Sequence, residues 1–518
     1  MIDLFEPFGF VTVGQDMRGT MRSDGNFSIW HADANDSEDL GNWIVQQPWS
    51  NGKIYSFGAS ADGLGAFTMI YNQPKWLSSQ YFIWTSSIGY EILYPNGAFL
   101  ENLVTRWMES TVPAEGTELV QTMKENEIWN DWWDAITMTG KYDRVHGASA
   151  FWAGWYDIFL PGTLAAYNGY NTECDEAYRY TSKLVIDPLG HCQDAAKYFP
   201  QDLIQGRSAL GLLQAYELYG VHDIRRQHIK NITFYVMSSN DDAGLNAGNY
   251  WTTVETFPHT TITKYYLHKD DTNANSNDGT ASTDRPAIDN NAISTTYKYD
   301  PSNPVLSNGG NNLFITCGPE DQSEVDDRDD VLRFTTSALT EELVLTGPLT
   351  ADLYVSSTAI DTDFMVKIED VYPTGEKRLL QDSAIRMRWR EGNTAPVMMT
   401  PGDVYHVSMT LWNTSYIVAP GHALRFVVTS SNSPRFSINN NNGVLLKDGP
   451  GTPIVAMNTI YHSARYPSSV NLPVVRKALI PKHPLLEEIA TSIPDLNKIL
   501  ETYPDLFDRL AGRMAKYA

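Results

Sequence analysis

The chain has 518 residues, of which 42% are hydrophobic, so it is long and apolar enough for two or three domains with cores of their own. Its formal net charge of −24 argues against nucleic acid or an anionic membrane surface as a partner. Because no run of about 18 apolar residues is present, the sequence predicts no membrane span. Residues 1–6 have neither a basic nor an apolar leader pattern, so no signal peptide is predicted. The compartment is left open between extracellular and cytoplasmic.

The first 90 residues alternate between strand and helix patterns. The predicted elements are a strand at residues 8–13, a helix with an acidic first turn at 37–47, a short strand before Ser60, a helix at 64–72 and a strand at 81–85. This order is typical of a parallel sheet with helices packed on it.

The stretch between Asn51 and the helix at 64–72 holds the candidate nucleophile, Ser60. It follows the short strand and lies between Gly58 and Gly63. Small residues allow a sharp strand-to-helix turn that exposes the serine hydroxyl, and the backbone N–H of Ala61 then points into the same space. Such a string also arises by chance at turns, so by itself it is only a hypothesis of a serine hydrolase.

Residues 91–139 are polar and helical in pattern, and we interpret them as a helical cap inserted over the carboxyl edge of the sheet. Four tryptophans of this segment could line a pocket or simply pack the cap, and the pattern leaves both open: Trp107, Trp129, Trp132 and Trp133. Six glutamates could in principle bind a substrate ammonium, but a solvated helix face explains them better: Glu101, Glu109, Glu115, Glu118, Glu125 and Glu127.

Two further candidate residues follow the next two predicted strands. Asp157 comes after a strand at 145–152, and His191 follows a strand at 183–186. With Ser60, they stand in the order serine, acid, histidine, each just past the carboxyl end of a strand, which is where a parallel sheet places its working side chains. A nucleophile, a base and an orienting carboxylate are the groups that a hydrolase triad requires. A helix at 203–218 completes the hydrolase domain, predicted to comprise residues 1–90 and 140–225.

The second half of the chain has a different pattern. Residues 226–480 show short, evenly spaced strands between Gly, Pro and Asn turns, which predicts an antiparallel β jelly roll. Residues 269–312 are poor in aliphatic side chains and are predicted to be a long polar loop region. Residues 481–518 have helical apolar spacing interrupted by Pro494 and Pro504, which predicts a short helical tail that docks on the protein or binds a partner.

The three cysteines are too few for a disulfide framework and fit no metal-site spacing. They allow one bridge, but isolated thiols are favoured: Cys174, Cys192 and Cys317.

Several strings make the chain resemble the family of cocaine esterase, the Xaa-Pro dipeptidyl-peptidases and the α-amino-acid ester hydrolases. In the first half they are Gln15-Asp16-Met17-Arg18-Gly19, the turn at Ser60, Gly154-Trp155-Tyr156-Asp157 and the strand ending at His191. In the second half they are Asp327-Arg328-Asp329-Asp330-Val331, Asp361-Thr362-Asp363-Phe364, Pro420-Gly421-His422 and Ser430-Ser431-Asn432-Ser433-Pro434. The resemblance covers roughly residues 8–475.

The resemblance implies an α/β class fold: an α/β-hydrolase domain with a helical cap, followed by a β jelly roll. It also implies Ser60 as nucleophile, Asp157 as orienting acid and His191 as base, with the Ala61 N–H as an oxyanion donor. The family usually has tyrosine where this chain has Ala61. Members of the family also have further strands, and a second oxyanion donor on a tyrosine, upstream of the strand predicted at residues 8–13; this sequence begins at Met1.

The leading hypothesis is therefore a serine hydrolase that cleaves a small ester, amide or peptide substrate through an acyl-enzyme, with no cofactor and no metal. Trp152, Trp155 and Tyr156 are expected beside the acyl pocket or behind it. The alternative is a catalytically impaired or non-catalytic binding protein on the same scaffold, because the upstream tyrosine is not in this sequence. A homodimer is left open.

Overall fold

The computed structural model describes residues 9–200, 230–269, 277–290 and 293–484, together with residues 206–207, 210–211, 213–215 and 218. Among these residues the α-helices are α1 Asp33–Ile44, α2 Ser60–Thr68, α3 Gly89–Leu93, α4 Glu101–Thr111, α5 Gly116–Glu125, α6 Asp131–Asp134, α7 Leu160–Thr172, α8 Asp242–Ala247 and α9 Ser323–Asp326. Of the predicted helix at 203–218, the described residues are helical. Residues 485–518, and with them most of the predicted helical tail, lie outside the described residues.

The first sheet carries the candidate catalytic residues. Its strands, in spatial order, are β1 Ile54–Ala59, β2 Leu77–Ile83, β3 Ser149–Gly154, β4 Lys183–Asp187, β5 Ile232–Ser238 and β6 Tyr250–Val254. The first five are parallel and β6 runs antiparallel to β5. Every residue of β3 and β5 is buried, as expected when helices or a second domain cover both faces of a parallel sheet.

Two expectations for this sheet are wrong. Residues 9–13 of the strand predicted at 8–13 form no described sheet pairing, and Val11 and Val13 are 57% and 39% exposed. Apolar alternation becomes a strand only where a neighbouring strand shares its hydrogen bonds, and β1 is paired only with β2 among the described residues. The boundary predicted at residue 226 also falls too early, since β5 and β6 extend the first sheet to Val254.

The cap helices α3 to α6 pack around an apolar cluster that also includes Trp30, Leu64 and Ile158 from outside the cap. Val104 and Met108 on α4 are buried together with Val120 and Met123 on α5, so each helix buries one stripe with a spacing of three or four residues. Trp133 lies at the centre of this cluster, fully buried. The cap thus packs onto α2 and the chain around Ile158, above the carboxyl edge of the sheet.

The second half is a β-structure. Its strands are β7 Thr261–Lys269, β8 Asp278–Ser282, β9 Ser294–Tyr299, β10 Leu332–Thr335, β11 Leu343–Ser357, β12 Asp363–Val371, β13 Lys377–Arg386, β14 Tyr405–Val418, β15 Ala423–Thr429, β16 Ala456–Tyr461 and β17 Ser469–Val474. The pairings among these strands are antiparallel except for the parallel pairing of β8 with β10. β12 lies between β13 and β15, while β11 lies between β14 and both β16 and β17. The expectation of a polar loop over 269–312 is wrong in part, because β8 and β9 lie inside it. Tyr297 and Tyr299 on β9 alternate inward and are buried.

A short parallel pairing joins the two halves through their backbones. Met237 and Ser238 at the end of β5 pair with Tyr416 and Ile417 of β14. The Ser238 hydroxyl also donates a hydrogen bond to the Ile417 carbonyl at 2.6 Å.

Glu127, just after α5, attaches the cap to the second domain. Its carboxylate lies 3.0 Å from the Arg388 guanidinium and accepts hydrogen bonds from the Trp389 indole and the Leu446 backbone N–H at 3.1 and 2.7 Å. Arg388 in turn lies 3.4 Å from Asp361, whose pKa is raised by burial. The Glu127 side chain is 2% exposed, so the expectation of a solvated face is wrong for this residue, while Glu118 and three others are exposed: Glu109, Glu115 and Glu125.

Replacing Glu127 with alanine is expected to lower the free energy of unfolding by about 3–5 kcal/mol, because it removes one of the two buried carboxylates beside Arg388 and leaves the Trp389 indole and the Leu446 N–H without their acceptor. The measurement is urea unfolding of both proteins, followed by tryptophan fluorescence. Glu118→Ala on the exposed face of α5 is the matched control, expected within about 0.5 kcal/mol of wild type. Equal stability of the Glu127→Ala and Glu118→Ala proteins would show that Glu127 does not anchor the cap.

Candidate active site

Ser60 lies at a sharp turn between β1 and α2. It has φ of +54°, a left-handed conformation that costs a non-glycine residue energy and is found where a side chain is held in a required position. A Cβ at Gly58 would lie 2.7 Å from the Gly63 Cα, and a Cβ at Gly63 would lie 2.5 Å from the Thr85 side chain, so both positions require glycine. Thr85 Oγ1, two residues past the end of β2, donates to the Ser60 carbonyl at 2.7 Å and helps to fix the turn.

The structure brings Ser60, Asp157 and His191 into one hydrogen-bonded row. His191 Nε2 lies 2.9 Å from Ser60 Oγ, and His191 Nδ1 lies 2.5 Å from Asp157 Oδ2. The side chains of His191 and Asp157 are 3% and 0% exposed. In this arrangement the carboxylate can hold the imidazole with its proton on Nδ1, which leaves Nε2 free to accept the serine proton.

Backbone N–H groups hold the Asp157 carboxylate in place. Oδ2 accepts the backbone N–H of His191 at 2.8 Å, and Oδ1 accepts that of Phe159, also at 2.8 Å. These two hydrogen bonds fix the orientation of the carboxylate towards His191.

The turn that presents His191 is shaped by a second buried carboxylate, Asp187, at the end of β4. Asp187 accepts the backbone N–H groups of Leu189 and Gly190 at 2.7 and 2.8 Å, and it pairs with Arg207 at 2.6 Å. Gly190 has φ of +57°, and a Cβ there would collide with the Asp157 carboxylate. The turn therefore requires glycine at this position.

Ala61, the candidate oxyanion donor, begins the first turn of α2. Its carbonyl accepts the Trp30 indole N–H at 3.0 Å, which fixes the start of the helix against the chain before α1. The free N–H groups at a helix start carry a partial positive charge, and this charge favours a negative oxygen beside Ser60.

A cavity opens from Ser60 into the cap, with about 570 Å³ of empty space measured out to its open mouth. Its walls come from the turn at Ser60, from the cap and from the chain around Ile158. None of the residues that line it is charged: Trp30, Ser60, Ala61, Leu64, Gly89, Ile92, Leu93, Leu103, Val104, Trp107, Met123, Trp133, Ile136, Ile158, Phe159 and Leu313. Trp30 stacks on Trp107 with ring centroids 5.3 Å apart, and the two indoles form one aromatic wall.

The three aromatic residues expected beside or behind the acyl pocket lie behind it, in the core of the sheet. The indoles of Trp152 and Trp155 donate to Asp187 and to the Tyr235 carbonyl, and the Tyr156 hydroxyl donates to the Leu379 carbonyl. A Cβ at Gly154 would collide with the Gly190 backbone nitrogen, so the turns at these two glycines are in close contact.

Of the four cap tryptophans, Trp107 and Trp133 line the cavity, while Trp129 and Trp132 do not. The signal that could have located Trp107 is its spacing from Leu103 and Val104, which places the three on adjoining faces of α4. Trp30 carried no such signal, because it lies in a turn with φ of +63°.

Two carboxyl groups beside the turn at Ser60 have altered acidity. Burial raises the pKa of Asp62, and burial together with the charges of Asp36 and Asp62 raises the pKa of Asp33 to about 6. Both carboxyl groups therefore take up a proton at a higher pH than an exposed aspartate does. Among the described residues, no three His, Cys, Asp or Glu side chains are grouped so that they could hold a metal ion.

The structure also corrects the expectation of isolated thiols. Cys192 and Cys317 form a disulfide, and Cys174 is free and buried. No helix in the described part of the chain is long and apolar enough to cross a membrane.

Two family models match the chain. Residues 5–118 match the X-Pro dipeptidyl-peptidase (S15 family), and residues 229–471 match the X-Pro dipeptidyl-peptidase C-terminal non-catalytic domain. A cocaine esterase from Rhodococcus sp. (strain MB1 Bresler) is 28% identical over 528 residues, covering 90% of this chain and 89% of the esterase. The chain belongs to this family of serine hydrolases. The range shared with the esterase bridges the gap between the two models, where Asp157 and His191 lie.

Solved structures show the same fold. An α-amino acid ester hydrolase superposes with a TM-score of 0.75 at 20% identity, covering 92% of this chain and 87% of its own. An aminopeptidase from a Thaumarchaeota archaeon of marine sediment superposes with a TM-score of 0.72 at 18% identity, covering 89% and 84% of the two chains. The predicted α/β-hydrolase fold with a β-rich second domain is confirmed.

Proposed function

We propose that this serine hydrolase is a carboxylesterase that acts on esters with a bulky, uncharged, apolar acyl group, through an acyl-enzyme on Ser60. The observation that carries the proposal is the 2.9 Å contact between His191 Nε2 and Ser60 Oγ at one end of an uncharged cavity. The cocaine esterase relative, 28% identical, adds support for an ester as the substrate.

The reaction would proceed in two halves. Ser60 Oγ attacks the ester carbonyl carbon while its proton passes to His191 Nε2, and the Ala61 N–H donates to the oxygen that gains negative charge. His191 then gives its proton to the leaving alkoxide, and the acyl group stays on Ser60. In the second half a water molecule gives its proton to His191 and attacks the acyl carbon. His191 then returns a proton to Ser60 Oγ as the bond between Oγ and the acyl carbon breaks, which releases the acid and restores the serine. Asp157 stabilises the imidazolium formed in each half.

The lining of the cavity favours an ester over an Xaa-Pro dipeptide. A dipeptidyl substrate carries a free α-ammonium group, and burying an unpaired charge is costly unless carboxylates meet it. The cavity next to Ser60 has no Asp or Glu in its walls, whereas two stacked indoles and several aliphatic side chains offer apolar contact.

The test is labelling by a fluorophosphonate probe, with Ser60→Ala as the control, followed by kinetics. Wild type is expected to be labelled and the control not, because the probe reacts only with an activated serine. In kinetics, kcat/KM is expected to be at least about tenfold higher for a p-nitrophenyl ester with an aromatic acyl group than for p-nitrophenyl acetate, and negligible for Xaa-Pro p-nitroanilides.

Each part of the proposal can fail separately. Folded wild type that is not labelled would favour the alternative, a binding protein on the same scaffold. Equal labelling of Ser60→Ala would assign another nucleophile. Faster cleavage of Xaa-Pro p-nitroanilides than of any ester would make the enzyme a dipeptidyl-peptidase.

A further inference from the structure

A loop of the second domain reaches back to the candidate triad. This bridging loop, residues 309–318, lies between β9 and α9 and is closed on itself. Gly310 and Gly318 each donate a backbone N–H to the other's carbonyl, at 2.8 and 2.9 Å. The Asn312 side chain donates to the carbonyls of Gly309 and Thr316 at 2.7 and 3.1 Å. The loop thus has a fixed shape, and Leu313 at its tip lines the cavity beside Ser60.

The bridging loop holds the turn that carries Asp157. Asn311 Nδ2 donates to the Trp155 carbonyl at 3.0 Å and to the Asp157 carbonyl at 2.9 Å. Asn311 is 2% exposed, so these bonds form where water does not compete. The second domain therefore holds Asp157, the acid of the candidate triad, by a hydrogen bond to its backbone carbonyl.

The same loop holds the segment that carries His191, and here the link is covalent. Cys317 of the loop forms the disulfide with Cys192, the residue directly after His191. Beside the bridge, a Cβ at Gly318 would lie 2.5 Å from the Ala195 Cβ, so the two segments pack in close contact. On its other side the His191 turn is held by Asp187 and Asp157 through hydrogen bonds alone.

We infer that the bridging loop positions both the acid and the base of the triad, through Asn311 and the Cys192–Cys317 disulfide, so that reducing this disulfide lowers the rate of the chemical step. The inference rests on the proposed roles of Asp157 and His191. A dithiol reductant breaks the sulfur–sulfur bond, transfers two electrons and two protons so that Cys192 and Cys317 both end as thiols, and leaves as its own cyclic disulfide. Cys192 then keeps only non-covalent contacts, and the imidazole is free to shift from Ser60.

The effect should fall on kcat rather than on KM. The apolar cavity binds the acyl group largely through the cap, while a displacement of about 1 Å between reacting groups can cost about 100-fold in rate. The matching family model describes the C-terminal domain as non-catalytic. The inference gives that domain a positioning role without placing any of its groups on the reacting atoms.

The experiment compares four oxidised proteins, with and without dithiothreitol: wild type, Cys317→Ser, Asn311→Ala and Cys174→Ser. Cys317→Ser is expected to lower kcat between about 10- and 100-fold, with KM within about twofold, and to be insensitive to the reductant. Asn311→Ala is expected to lower kcat and to remain sensitive. Cys174→Ser, which removes the free cysteine, is expected to match wild type, including its loss of kcat on reduction. Rates are expressed per site that reacts with fluorophosphonate, so that misfolded protein does not count.

A pH profile of kcat separates positioning from a general loss of structure, since a displaced imidazole changes the apparent pKa of the profile. Cys317→Ser with wild-type kcat per reactive site and an unchanged pH profile would overturn the inference, as would equal loss on reduction in Cys317→Ser and wild type. Oxidised wild type that is neither labelled nor active would overturn the proposed function, and this inference with it. Active wild type that is indifferent to the disulfide overturns the inference alone.

Discussion

Replacement of His191 by alanine is expected to lower kcat for a p-nitrophenyl ester about a million-fold, the size of loss that follows removal of the base from a serine protease triad. His191 Nε2 is 2.9 Å from Ser60 Oγ, and without an acceptor there the serine hydroxyl is a weak nucleophile at neutral pH. The measurement is kcat under substrate saturation, together with the rate of fluorophosphonate labelling, which should fall in parallel.

The matched control for this variant is His146→Ala. His146 is 48% exposed and pairs with Asp175 at 3.2 Å. It precedes β3, at the opposite edge of the parallel sheet from Ser60, which follows β1. It is expected to retain kcat within about twofold. Added imidazole should restore part of the activity of His191→Ala, because the rings of Phe159 and Trp84 flank the space that the side chain leaves. A loss of less than about 100-fold would mean that another group serves as the base.

Asp157→Asn is expected to lower kcat about 10,000-fold with little change in KM. An asparagine of the same shape can keep an oxygen towards the Phe159 N–H, but its amide group then faces His191 Nδ1 as a donor. The imidazole is driven to the tautomer that carries its proton on Nε2, and this proton blocks transfer from Ser60. The loss of kcat should be measured across a range of pH, because it is expected to come from the wrong tautomer of His191 and not from the removal of one negative charge.

Asp175→Asn provides an internal comparison for this second prediction. Asp175 pairs with His146 in an exposed His–Asp pair, and 42% of its side chain is accessible. Water and salt screen this pair, so kcat is expected to stay within about twofold of wild type. Similar losses in the two variants would show that the effect of Asp157→Asn comes from general destabilisation.

The candidate triad could be placed from the sequence because three local signals agree. Ser60, Asp157 and His191 each follow a predicted strand, and parallel strands bring their carboxyl ends to the same edge of a sheet. Gly58 and Gly63 indicated the turn at Ser60 in the sequence. The structure requires glycine at both positions, because a Cβ there would lie too close to a neighbouring residue.

Other features depend on contacts between distant segments, and no local pattern carries them. Cys192 and Cys317 are separated by 125 residues, and nothing in their spacing indicates that two domains bring them together. Glu127 lies among exposed glutamates in the sequence, and only the position of Arg388 on the second domain explains its burial. The cavity wall likewise depends on how the cap packs, so the sequence left open whether Trp152, Trp155 and Tyr156 lie beside the acyl pocket or behind it.

Secondary structure was least predictable where strands depend on their neighbours. Residues 9–13 have the composition of a strand but pair with no strand among the described residues. The polar residues of β8 and β9, in contrast, form strands because β7, β10 and β16 offer partners. The alternating pattern of β5 predicted that it belongs to the second domain, yet β5 pairs in parallel with β4 of the first sheet.

The backbone pairing between β5 and β14 bears on how second domains could be exchanged between relatives. Met237 and Tyr416 are joined through main-chain groups, which every residue but proline supplies, so side chains at the junction can change without separating the domains. For an exchange of second domains between relatives, the register between β5 and β14 then matters more than the side chains at this pairing. A graft shifted by one position along β14 would carry the bridging loop out of reach of both turns that it holds.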